Sequence, residues 1–126
     1  MSSSASCQDA DHLVELLAET REDANDLSVE LRKVIAGLVV ELYGNAHLGE
    51  LMGDRAPRIL RGCRKIRFDQ PDWHRKPRYR LVYRAEPTDG SVATVCVLAI
   101  GRRDRMIAYA KASSRLKRRI SAEGLG

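Results

Sequence analysis

At 126 residues the chain can form one domain with a real core but is too short for two. Hydrophobic residues make up 44% and charged residues 31%, an ordinary globular balance, and no apolar run approaches the ~20 residues of a membrane span. The opening Met1-Ser2-Ser3-Ser4-Ala5-Ser6 lacks the basic-then-apolar order of a secretory leader, so the expectation is a cytoplasmic protein without a membrane partner.

The net charge of +5 averages two opposed halves. Residues 1–50 hold 3 Lys/Arg and 10 Asp/Glu, whereas residues 51–126 hold 19 and 7. A basic half of this size is the electrostatic footprint of a nucleic-acid partner, although solvated Lys and Arg also serve solubility. Cys7, Cys63 and Cys96 fit no zinc spacing, and His12, His47 and His74 lie far apart, so reduced structural thiols and no metal are expected.

In chain order, Ser6-Cys7-Gln8-Asp9 has capping-box spacing and predicts a short helix carrying Leu13, Val14, Leu16 and Leu17. A second helix is predicted to start near residues 20–26 and to stop at Gly44. Leu27, Leu31, Val34, Ile35, Leu38, Val39 and Leu42 recur along it at three- and four-residue steps. Residues 44–62, rich in Gly, read as a connecting loop with a turn of helix near Leu48 to Leu51.

Three strands follow, at about 63–69, 78–86 and 92–100. Pro87-Thr88-Asp89-Gly90 is a turn that pairs the last two, and the third is apolar on both faces, as a central strand is. Asp104 is placed to cap a last helix with Tyr109, Ala112, Leu116 and Ile120 on one side, ending in a tail that frays from about residue 117. The order predicts a single α+β domain over residues 1–126, with residues 1–7 and 119–126 frayed. It has a small, mainly antiparallel sheet, two N-terminal helices packed on one face and a short C-terminal helix. The helices are expected on one side of the sheet.

Side chains alternate across a strand, so Lys65 and Arg67 share a face opposite Ile66 and Phe68, and Arg78 and Arg80 share a face opposite Tyr79, Leu81 and Tyr83. Taken singly these residues have ordinary readings. Lys65 and Arg67 fit the solvent face of a strand, Arg80 fits a cross-strand pair with Asp69 or Glu86, and Tyr109 fits the core. Together they describe a cationic face suited to phosphate. Arg64, Arg78, Arg102 and Arg105 extend it as RNA-binding candidates, and Trp73 offers a ring on which a base can stack. His74 reads as solvated.

The runs Lys65-Ile66-Arg67-Phe68, Tyr79-Arg80-Leu81-Val82-Tyr83 and Ile100-Gly101-Arg102-Arg103-Asp104-Arg105, followed by Tyr109, resemble the RelE/ParE toxin superfamily of bacterial toxin–antitoxin systems. The likeness spans residues 26–118 in element order and is sharpest from 60 to 116. It implies a toxin of the mRNA-interferase branch, an endoribonuclease that enters the ribosomal A site and cleaves mRNA by metal-independent 2′-hydroxyl attack. By motif it assigns catalysis to Lys65, Arg67, Arg80, Arg103 and Tyr109.

The implied partners are A-site mRNA, rRNA and a cognate antitoxin, with no cofactor and no small-molecule substrate. Two departures stand out. The family opens with a strand that residues 1–11 do not supply, so the sheet is expected to be one strand short. Position 67 is Arg where the branch often has Lys, and arginine is a poor base, which leaves Lys65 or Tyr109 for the proton. Alternatives are a gyrase-inhibiting ParE-like protein and a non-catalytic relative that binds RNA or ribosomes.

Overall fold

The computed structural model describes residues 12–53, 56–86 and 94–124. The capping-box residues 6–9, Cys7 and the turn at 87–90 lie outside that set. The elements are β1 (Leu13–Leu16), α1 (Ala18–Asn25), α2 (Val29–Gly44), β2 (Glu50–Leu51), β3 (Arg64–Phe68), β4 (Tyr79–Glu86), β5 (Thr94–Arg102) and α3 (Ile107–Gly124). They build an α+β domain around a five-stranded mixed sheet of order β1-β5-β4-β3-β2, antiparallel except for the β1–β5 pair.

Leu13 to Leu16 form a strand rather than the expected helix, pairing Val14 with Val95 and Leu16 with Val97. Val14 and Leu16 turn to the core while Leu13 stays exposed, a two-residue period. The sheet therefore has its opening strand, two residues beyond the segment that seemed to lack it. The stretch taken as a loop adds β2, where Glu50 pairs Lys65 and Leu51 pairs Arg64, and a single 3-10 turn at Arg58–Leu60.

The predicted long helix is two. α1 ends at Asn25, and Ser28 opens α2 by accepting the Leu31 N–H on its hydroxyl at 3.3 Å. The apolar stripe of α2 packs on one face of the sheet: Leu31, Ile35 and Leu42 are buried there with Phe68, Leu81, Tyr83, Val95, Val97 and Ile100. α3 covers the opposite face through Ala108, Tyr109, Ala112 and Leu116, against Cys63, Val82, Cys96, Leu98 and Ala99. Helices thus sandwich the sheet instead of gathering on one side.

Nor is α3 short. It runs to Gly124, and Arg119, in the segment expected to fray, donates to Glu86 at 2.9 and 3.1 Å. Ile120, expected on the apolar side, is 39% exposed.

α1 closes the β5 edge where β1 stops. Thr20 Oγ1 lies 2.9 and 2.8 Å from the carbonyl oxygens of Val97 and Leu98. Asp23 accepts the Ile100 N–H at 3.1 Å, Arg115 at 2.7 Å and Lys111 at 3.1 Å. Burial alone would raise the Asp23 carboxyl, but these donors outweigh it and hold the group below its ordinary range. Cys63 and Cys96 are buried thiols, each pushed up to about 11 by burial. Among the described residues no helix is long and apolar enough to cross a membrane, and no three His, Cys, Asp or Glu side chains gather as a metal site requires.

Gly49 permits the closest backbone approach. Its N–H donates to the Tyr83 hydroxyl at 2.8 Å, and that hydroxyl donates to Ala46 O at 2.8 Å. A Cβ at Gly49 would stand 2.8 Å from the Lys65 carbonyl oxygen and 2.9 Å from the Tyr83 ring, both held by the sheet. Gly49→Ala should lower stability by about 1–3 kcal/mol, seen as a lower urea midpoint at constant slope. An unchanged midpoint would show that the approach is looser than drawn.

Candidate active site

β4 lies between β3 and β5, so three separate stretches of sequence meet on one face. Arg67 stands directly opposite Arg80, and Arg80 opposite Gly101. Gly101 keeps that position low, with Ala108 of α3 packed 3.5 Å from where a Cβ would be. β5 ends at Arg102, and a 3-10 turn over Asp104–Met106 leads into α3. Arg105 and Met106 there adopt φ of 56° and 58°, left-handed conformations uncommon outside glycine. This strained turn brings Arg103 back toward the sheet, its N–H donating to Arg78 O at 2.9 Å.

The result is a cavity of about 310 Å³ lined by Arg67, Lys76, Pro77, Arg80 and Arg103. Arg80 is its floor. It is only 8% exposed, and its Nη1 donates to the carbonyl oxygens of Pro77 at 3.0 Å and Tyr79 at 2.9 Å. Its Nε has no partner among the described residues, and neither Asp69 nor Glu86 pairs with it; they take Arg78 and Arg119. A buried guanidinium costs free energy unless a negative charge answers it, and a second arginine directly across the ladder adds repulsion. Both terms are relieved by one anion in the cavity.

Lys65 sits beside this cavity, on the Arg67 face of β3. Its Nζ is 6.0 Å from the centroid of the Tyr109 ring, and Tyr109 is 8% exposed in the core under α3. The expected core role of Tyr109 and its nearness to the cations therefore hold together. Glu50, on the edge strand, reaches Arg67 at 3.2 Å and Lys65 at 3.9 Å. The five residues singled out for catalysis thus share one side of the sheet.

The residues expected to bind RNA are less uniform. Arg64 points to the opposite face, where it donates to Gly49 O at 2.7 Å. Arg78 does not join Arg80, since Asp69 holds it through Nε at 2.9 Å and Nη2 at 2.8 Å. The Trp73 ring lies under that guanidinium, 3.5 Å from its central carbon. Arg102 pairs with Asp104 at 2.8 Å beside the Tyr79 ring. Arg105 is exposed but does not line the cavity. Lys76 and Glu50 were not anticipated; both lie in stretches without strand periodicity, where only the tertiary fold assigns a neighbour.

Much of the basic half is also answered internally. Arg118 pairs with Glu19, Arg119 with Glu15 and Glu86, and Arg115 and Lys111 with Asp23. The acidic half largely neutralises α3, whereas at the cavity Lys76, Arg80 and Arg103 have no carboxylate partner among the described residues.

No family profile matches the sequence, and no curated protein does. Solved structures do match in shape. An E. coli RelE toxin variant in the free state superposes with a TM-score of 0.58 at 19% identity, over 82% of this chain and 96% of that one. The toxin–antitoxin complex RelBE of E. coli gives 0.53 at 18% identity, over 75% and 99%. The RelBE2 complex of Mycobacterium tuberculosis gives 0.51 at 20%, over 73% and 98%. The chain has the RelE-like toxin fold.

Asp69 supplies a direct check on the loop beside the cavity. Hydrogen bonds from Arg78 pull its carboxyl from 3.8 down to about 2. A depressed carboxyl stabilises the fold above its unfolded value and loses that contribution as pH falls through the folded value. Trp73 is the sole tryptophan, so its fluorescence reports the Arg78 stack. Acid titration should leave the emission unchanged down to about pH 3, with the transition centred near 2. A midpoint near 4 would mean that Asp69 is not engaged.

Proposed function

We propose that the protein is the toxin of a toxin–antitoxin pair and a ribosome-dependent endoribonuclease acting on mRNA in the A site. The observation that carries this reading is Arg80, a buried cation without a carboxylate partner among the described residues, opening into a cavity shared with Arg67 and Arg103. The likeness to solved RelE toxins and to toxin–antitoxin complexes supports it.

In the reaction, the 2′-oxygen of the nucleotide in the site attacks the adjacent phosphorus as its proton leaves. The new 2′-O–P bond forms while the bond to the 5′-oxygen breaks, and the leaving 5′-oxygen takes up a proton from water or the protonated base, giving a 2′,3′-cyclic phosphate and a 5′-hydroxyl. Charge gathers on the phosphorane oxygens, and Arg67, Arg80 and Arg103 are placed to meet it. Arginine is a poor base, so Lys65 is the favoured base and Tyr109 its neighbour and substitute. A positioned acid or base contributes about 10²–10⁴-fold; orientation of the mRNA by the ribosome supplies much of the rest. The same cationic face is the natural target of an acidic antitoxin, and the setting is cytoplasmic.

Added to programmed ribosomes, the protein should cut mRNA at the A-site codon and leave naked RNA largely intact. Arg103→Ala should lower the cleavage rate by about 10²-fold or more, on the scale of a lost charge-stabilising donor, with an unchanged circular dichroism spectrum. Full activity in that variant would remove Arg103 from the site. Intact translation with stalled DNA gyrase would point instead to a binding toxin.

A further inference from the structure

The connection between β3 and β4 is polar and basic, the kind of segment that ordinarily stays mobile. Here it is fastened at several points. The Asp69 carboxylate, with 4% of its side chain exposed, takes the Arg78 backbone N–H at 2.8 Å as well as the guanidinium, which joins the two ends of the loop. Trp73 stacks under Arg78, its own N–H donates to Gln70 O at 3.0 Å, and its indole N–H donates to Lys76 O at 3.0 Å. Pro77 follows with a fixed φ, and its carbonyl oxygen accepts Arg80 Nη1 at 3.0 Å. The peptide at Lys76 and Pro77 is therefore held from the loop side by the indole and from the sheet side by Arg80.

What this fastening delivers to the cavity is another cation. Lys76 lines the space with Arg67, Arg80 and Arg103, and among the described residues no carboxylate pairs with it. The loop holds the Lys76 backbone, and its exposed side chain stands with three arginines, an arrangement that a bound anion favours. We propose that Lys76 is a fourth phosphate-binding cation of this site, and that Trp73, with Asp69 and Arg78, is the positioning device that holds it there. The ligand is a phosphodiester of bound RNA, so the inference rests on the nuclease reading. It adds a contact that the strand motifs do not contain.

The test uses the full chain with inorganic pyrophosphate as probe, its affinity read from the thermal shift at fixed ionic strength. Trp73→Phe leaves an aromatic ring to face Arg78 and removes the indole N–H together with part of the ring. Lys76→Ala should weaken pyrophosphate binding about tenfold and Trp73→Phe about threefold, on the scale of one charge-assisted contact and its alignment. In the Lys76→Ala background, Trp73→Phe should have no further effect, a non-additivity that a merely structural role for the indole would not produce. Wild-type affinity in Lys76→Ala, equal losses from Trp73→Phe in both backgrounds, or no pyrophosphate binding by the wild type would each overturn the proposal.

The same four proteins on programmed ribosomes separate the two claims. Pyrophosphate results as expected, without mRNA cleavage by the wild type, would defeat the nuclease reading and leave the anion site standing. Wild-type cleavage with unaltered pyrophosphate affinity in Lys76→Ala would defeat this inference alone.

Discussion

The site depends on one unfavourable placement: Arg67 and Arg80 directly opposed across an antiparallel ladder, with Arg80 buried and no carboxylate beside it among the described residues. Two buried carboxylates, by contrast, are answered closely. Asp23 gathers Arg115, Lys111 and a backbone N–H, and Asp69 takes three donors from Arg78. The carbonyl dipoles of Pro77 and Tyr79 meet Arg80, and they offset part of the cost of removing a cation from water. In the proposed function a cation left in that state receives the phosphate, and the remaining elements can be understood by how they maintain it.

Each supporting element has a distinct task. α3 covers the sheet face next to the cations and carries Tyr109 to Lys65. The α1–α3 network through Asp23 fixes that helix to β5, so the distance from helix to site is set by a polar cluster as well as by apolar packing. The left-handed pair Arg105–Met106 turns the chain sharply between β5 and α3, which places Arg103 at the cavity rim. Glu50 is paired with Arg67 and within reach of Lys65. An entering phosphate would compete with it for the same cations.

Alternation made much of this legible in advance. Lys65, Arg67 and Arg80 fall on one face because a strand has a period of two, and Leu31, Val34, Ile35, Leu38, Val39 and Leu42 lie on the packed side of α2 because a helix has a period near 3.6. Leu13 to Leu16 were misread because four apolar-rich residues satisfy either period, and what decides between them is the free edge of β5, some eighty residues away. Charge was legible as a total but not as a set of pairs. Arg64, Arg78 and Arg102 resemble Arg80 in sequence, yet Gly49, Asp69 and Asp104 engage them and leave Arg80 aside. Lys76 carried no signal, since its role follows from a loop fastened by contacts that no local pattern encodes.

The most direct measurement is a structure of the protein on a ribosome whose A-site mRNA carries a 2′-methoxy group at the scissile nucleotide, which blocks attack but preserves the phosphate. The expected result is that phosphate oxygens lie about 3 Å from the guanidinium groups of Arg80 and Arg103, with the blocked 2′-oxygen facing Lys65 and Tyr109. A scissile phosphate seated elsewhere, for instance along the outer face of α3, with the Arg80 cavity empty, would contradict the account.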